Sequence, residues 1–164
     1  MIITTATAVD REAAWLRTSG DGLPALLAVD GGPWDVVQAY MSRTPGQRKR
    51  QLYVVRERVE QPRTSVGRMM ATHHFKLKII WPMSSGDGNA EASQRAFDAA
   101  LDVVLQRVAG FLGDKTHGGR FLSAAENPPR VTIDYEPVEQ ALQQQAGAFF
   151  ATVSYACDDP EIVG

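Results

Sequence analysis

The stretch that most constrains this chain is Arg68 to Trp81, RMMATHHFKLKIIW. Met69, Ala71, His73, Phe75, Leu77, Ile79 and Trp81 fall on one side, and Arg68, Thr72, His74, Lys76 and Lys78 on the other, with Met70 and Ile80 as exceptions. A period of two sustained over this length is the pattern of a long strand with one buried face. No comparably long alternation occurs elsewhere, so this strand is expected to be central to a sheet that the rest of the chain extends or covers.

Shorter patterns supply the remaining elements. Asp10 can cap a helix over Arg11 to Thr18, closed by Gly20 and Gly22, while Met1 to Val9 reads as an arm or a first strand. Trp34 to Met41 and Leu52 to Glu60 read as two strands of a β-hairpin, with Pro45-Gly46 in the turn. Asn89 can cap the longest helix, Ala90 to Leu112. Its Phe97, Leu101, Val104, Leu105, Val108 and Leu112 recur at three- and four-residue spacing, while Arg95, Asp98, Asp102, Gln106 and Arg107 are mainly on the other side. Val131 to Glu136 and Ala148 to Cys157 read as further strands, Pro137 to Gln145 as a short helix, and Asp158 to Gly164 as a tail outside the core.

The sum is α+β: a single mixed, mostly antiparallel sheet of four or five strands, a long helix packed on one face and a short N-terminal helix. One domain over residues 1–164 is expected, with a protruding basic hairpin at about 34–60 and a flexible C-terminal tail at 158–164. Strand order is not legible at this level.

Composition narrows the function classes. A formal net charge of -2 gives no bulk signal for nucleic acid. The single cysteine, Cys157, excludes an intramolecular disulfide and fits a reducing cytosol. No apolar run approaches a membrane span, and no signal-peptide pattern opens the sequence.

The layout of charge says more than its total. Between Arg43 and Lys78 there are ten basic residues against Glu57 and Glu60; from Phe121 to Gly164 there are seven acidic residues against Arg130. A solvated pair of faces accounts for this, and so does a basic surface meeting an acidic partner, another copy of the chain included. Arg43, Arg48, Lys49, Arg50, Arg56 and Arg58 are the candidate protein-interface residues. The same hairpin offers phosphate contacts to DNA, but Tyr53 is its only aromatic for stacking on bases.

Motifs for chemistry are missing from the sequence. His73 and His74 are adjacent on a strand and point to opposite faces, so they cannot share a metal; His73 is expected half-buried and His74 exposed. His117 is far away in a loop, and no nearby carboxylate completes a metal-ligand pattern. Cys157 reads as a core thiol and Asp158-Asp159 with Glu161 as a solvated acidic tail. No GxSxG, GxGxxG or GxxxxGK[ST] is present. The expectation is no catalytic residue, no cofactor and no metal.

Element order and several local strings carry a resemblance. An N-terminal helix precedes a hairpin, a long strand ending in IIWP, a helix with AFDAALDVV, a THGGRF loop and closing strands ending near DDPEIVG. From about Trp34 to its end the chain resembles the tail terminator (tail completion) proteins of long-tailed bacteriophages, particularly phages of actinobacteria. The resemblance implies a structural virion protein of the tail and neck, made in the bacterial cytoplasm, and no enzyme. Its partners would be itself in a ring, of hexameric order in this family, the tail-tube protein beneath and the head–tail connector or head-closure protein above, with DNA passing through unbound. The nearest alternative is a head-closure or connector ring. Remoter ones are a small ligand-binding domain, which needs a pocket with convergent polar groups, and a nucleic-acid-binding module, whose mark is steeply salt-dependent affinity.

Overall fold

The computed structural model describes residues 5–20, 22–41, 49–60, 63–65, 68–83, 90–109, 116–118, 121, 123–126, 130–137 and 147–162. The alternating stretch forms β4 (Arg68–Pro82), the middle of one sheet. On one side it pairs antiparallel with β2 (Gln51–Glu60), on the other with β7 (Ala148–Ile162) over its whole length. Every odd-numbered residue from Ala71 to Trp81 is buried, as the period of two requires. The even-numbered residues Thr72 to Ile80 face the opposite side, each only partly exposed.

β1 (Val36–Ala39) flanks β2, and the short β5 (Ser123–Ala124) and β6 (Thr132–Tyr135) flank β7. β3 (Arg63–Ser65) pairs with the start of β4. The fold is therefore the expected α+β arrangement, a mixed sheet in which β1–β2 is the parallel pair and the other pairs are antiparallel.

That parallel pair corrects the expected hairpin over 34–60. β1 and β2 run side by side in one direction, Val36 opposite Gln51 and Ala39 opposite Val54. The Arg50 carbonyl accepts from the Asp35 and Val36 N–H groups at 2.9 and 3.1 Å, and the Asp35 carboxylate accepts the Arg50 N–H at 2.9 Å. This clamp sets the start of β2 against the start of β1, so that Val37, Leu52 and Val54 share the buried face. The chain leaves β1 through Tyr40, whose φ of 64° is left-handed and breaks the strand. The true hairpin is β2 with β4, bulged between Arg56 and Arg58.

The C-terminus needs a second correction. The expected tail at 158–164 is strand as far as Ile162, paired with β4 down to Arg68. Asp158 and Asp159 are buried. Asp158 accepts hydrogen bonds from the Thr72 hydroxyl at 2.6 Å and the Ser123 hydroxyl at 3.2 Å, which is how an acidic pair continues a strand into the interior.

Two helices cover the odd-numbered face. α1 (Thr5–Arg17) begins earlier than the cap at Asp10 implied, and Asp10 lies exposed inside it. Ala8, Val9, Glu12, Ala13, Trp15 and Leu16 are its buried stripe. α2 (Ala90–Ala109) buries Phe97, Ala100, Leu101, Val104 and Val108. Phe97 stacks on Phe149 of β7 at 5.9 Å and packs against Trp81 of β4 at 5.8 Å, pinning the helix to the sheet. Arg107, expected on the outer side of α2, is instead 1% exposed. Its guanidinium donates to the Trp15 carbonyl at 2.7 Å, the Thr18 hydroxyl at 2.9 Å and the Pro24 carbonyl at 3.2 Å, and lies 4.5 Å from the Trp15 ring centroid. It thereby adds a charged donor to the Trp15 carbonyl at the end of α1, which also accepts from the Thr18 N–H and hydroxyl, and ties the Pro24 carbonyl beyond it to α2. The expected short helix at 137–145 and the turn at 42–47 lie outside the described residues, apart from Pro137.

Candidate functional site

Two features can carry function: a buried polar cluster between α1 and β7, and the surfaces at the two edges of the sheet.

The cluster starts from Glu12, a carboxylate within the apolar stripe of α1 and fully buried. Nδ1 of His117 lies 2.8 and 3.0 Å from its two oxygens, and the Tyr155 hydroxyl donates to it at 2.6 Å. Nε2–H of His117 donates to the Val108 carbonyl at 3.1 Å, near the end of α2. That bond fixes the imidazole, and a proton bridges Nδ1 and the carboxylate. The His117 ring lies flat on Trp15, with centroids 3.8 Å apart and 5° between planes. His117 takes a φ of 49° in a turn over residues 116–118, which presents its ring inward.

Burial, then the Glu12 carboxylate, pushes both the Tyr155 hydroxyl and the Cys157 thiol well above their ordinary values, so both stay protonated in neutral solution. Glu12, His117 and Cys157 bring three ligand atoms within 4.8 Å of one another. The carboxylate that meets His117 thus comes from α1. A shared proton already satisfies the imidazole and the carboxylate, and all three side chains are shut off from solvent. An imidazole–carboxylate pair is acid–base equipment only where substrate can reach it. Here the pair cross-links α1, α2, the 116–118 turn and β7.

A second buried group adjoins it. His73, in register with Cys157, is 2% exposed, more deeply placed than the half-burial expected, and His74 is only partly exposed. Asp159 lies 3.9 Å from His73 and 3.7 Å from Arg11, whose guanidinium covers the Phe121 ring at 4.9 Å. Burial, reinforced by Arg11 and then His74, lowers the His73 pKa. Sequence reasoning misses both groups because their members are far apart in the chain. The one signal it offers is a glutamate in the apolar stripe of α1.

The candidate interface residues do not form one basic tip. Lys49 is exposed beside the start of β2, and Arg50 is half-buried with its guanidinium 4.2 Å from the Trp81 ring centroid. Arg56 and Arg58 are exposed roughly 20 Å further along the same strand. There Arg58 pairs with Glu60 at 3.0 Å, and Glu57 pairs with Lys76 at 3.5 Å, so that end is partly neutralised. Arg43 and Arg48 lie outside the described residues.

The sheet edges differ in sign. Beside β1 stand Arg17, whose guanidinium donates to the Val37 carbonyl at 3.4 Å, and Lys49 and Arg50, against Asp30 and Asp35. Outside the described residues, the sequence 42–48 contains Arg43 and Arg48 and no acid. At the other edge, β6 and the adjoining face of α2 expose Asp98, Asp102, Asp134 and Glu136, none of which ion-pairs with a described residue. The basic residues nearest in sequence are Arg95, which pairs with Glu91 at 2.9 Å, and Arg130 before β6.

No helix among the described residues is long and apolar enough to cross a membrane. Comparison with protein-family models finds no match, and comparison with curated proteins finds no relative.

Proposed function

We propose that this chain is a ring-forming structural protein of a bacteriophage tail, acting as the terminator that caps the tail tube and offers a joining surface to the head connector. The observation that carries the reading is the opposite charge of the two sheet edges. A closed ring of identical subunits uses heterologous contacts, in which one surface of each copy meets a different surface of the next. A basic β1 edge and an acidic β6 edge are complementary in that sense, and like edges repel, which disfavours a two-fold dimer through either one. The resemblance of the chain from about Trp34 onward to phage tail terminators supplies the biological setting.

The experiment is the mass of the purified protein across concentration, with and without its tail-tube protein, followed by negative-stain imaging. Rings, or monomers that become rings on tube ends, are expected. A protein that remains monomeric and ignores the tube overturns the reading; rings that bind the connector and not the tube reassign it to head closure.

A further inference from the structure

A groove of about 320 Å³ opens between the N-terminal half of α2 and the β6–β7 pair. Its apolar wall is the stacked Phe97–Phe149 pair, and Tyr135, 51% exposed, stands edge-on to Phe97 at 6.1 Å and 87°. Asp98 and Glu136 lie at the rim, and burial, then the Asp98 carboxylate, raises the pKa of the Tyr135 hydroxyl. Asp102 stands one turn further along α2.

This combination has a defined chemical preference. Aromatic rings attract a cation to their faces, carboxylates pair with it, and the apolar wall accepts the methylene stem of a long side chain. The volume is at the small end for ligand pockets and suits one arginine or lysine side chain. The carboxylates on the rim have no ion-pair partner among the described residues to compete for them.

We infer that the groove is the acceptor for a cationic side chain from a second copy of this chain, presented by the segment between β1 and β2. That segment holds Arg43, Arg48, Lys49 and Arg50 with no acidic residue among them. It is anchored at the opposite end of the sheet from the groove, with the order β1–β2–β4–β7 and β6 outermost. Four inter-strand spacings, roughly 20 Å, separate donor edge from acceptor edge. Each copy thus carries one acceptor and one donor on opposite sides, the requirement for a head-to-tail ring. The inference rests on the ring-forming reading above and names the contact that closes it.

The test is a charge swap followed by sedimentation velocity on the full chain, with circular dichroism confirming that each variant is folded. Asp98, Glu136 and Lys49 are exposed, and Arg43 and Arg48 lie outside the described residues. Asp98→Lys with Glu136→Lys reverses the groove, and Arg43→Glu, Arg48→Glu and Lys49→Glu together reverse the donor. Each of the two variants is expected to associate at least about tenfold more weakly than the parent. An equimolar mixture of the two should recover assembly, because each then meets a complementary partner on both sides. Parent-like assembly of the groove variant, or no recovery on mixing, overturns the inference, and so does a parent that is monomeric both alone and on tail tubes. If rings cap tubes equally well with the groove reversed, only the groove contact is lost. If the swap behaves as expected but the rings ignore tubes, the groove contact stands and the terminator reading falls.

Discussion

At the scale of the residue, the interior carries more polar chemistry than its sequence advertises. Tyr155→Phe removes the hydroxyl that donates to the buried Glu12 and adds nothing in its place. A hydrogen bond to a charged group is worth about 1.5–3 kcal/mol, and urea denaturation should show a loss of that size. Cys157 is fully buried with its thiol held protonated, so iodoacetamide should leave the native protein unmodified and alkylate it only in denaturant. Labelling at native rates would mean that β7 opens locally. His73 gives a pH prediction. Its folded pKa lies below the ordinary 6.5 because burial and then Arg11 and His74 disfavour the imidazolium, outweighing Asp159 at 3.9 Å, which also faces Arg11. As pH falls through about 6.5 the unfolded chain takes a proton that the folded chain refuses, so stability drops until the lower folded pKa is reached. His73→Phe should flatten this part of the acid limb in urea midpoints measured from about pH 7.5 to 5; an unchanged slope would place the proton elsewhere.

At the scale of the element, local patterns and pairing partners separate. β4 is legible because alternation records which face is buried, and α2 because its apolar spacing records one stripe. The partner of a strand is not written in that strand. Trp34 to Met41 and Leu52 to Glu60 read as a hairpin by proximity, whereas the Asp35–Arg50 clamp, 15 residues apart, makes them parallel. Polarity misleads in two places. Asp158 and Asp159 look like a solvated tail until Thr72 and Ser123 supply donors, and Arg107 looks like surface until the carbonyls after α1 need it. The Glu12–His117–Tyr155 group is invisible in the sequence for the same reason, since 105 and 143 residues separate its members. The turn before β1 is a further test at this scale. Gly31 has a φ of 91° and open space where a methyl group would sit, whereas a Cβ on Gly32 would sit 2.3 Å from the Leu26 carbonyl carbon and oxygen. Gly31→Ala should cost about 1–2 kcal/mol through left-handed strain alone. Gly32→Ala should cost about 1–3 kcal/mol through overpacking against backbone, which has no rotamer to yield, and should also weaken the Leu27–Trp34 bridge beside it. Thermal unfolding of the two variants compares them directly, and equal melting temperatures to the parent would remove the steric account.

At the scale of the whole molecule, the question is whether segregated charge is an assembly device or two hydrated faces. The two accounts differ in their response to salt. Coulomb attraction between exposed groups is screened over about 10 Å at 0.1 M salt and about 3 Å at 1 M, so edges that attract by charge lose their long-range pull first. Apolar burial is not screened in this way and is strengthened by excluded salts such as sulfate. The groove between α2 and β6 combines both, with Phe97 and Phe149 behind Asp98 and Glu136. Sodium chloride raised from about 0.05 to 0.5 M should therefore slow association more than it speeds dissociation, because steering acts before contact and the aromatic wall holds after it. Stopped-flow light scattering across that range reads the two rates separately. A fall in the association rate with little change in dissociation supports charge-guided closure of a ring. Association that is indifferent to salt would make the opposite edges solvated surfaces and leave any ring to be held by other contacts.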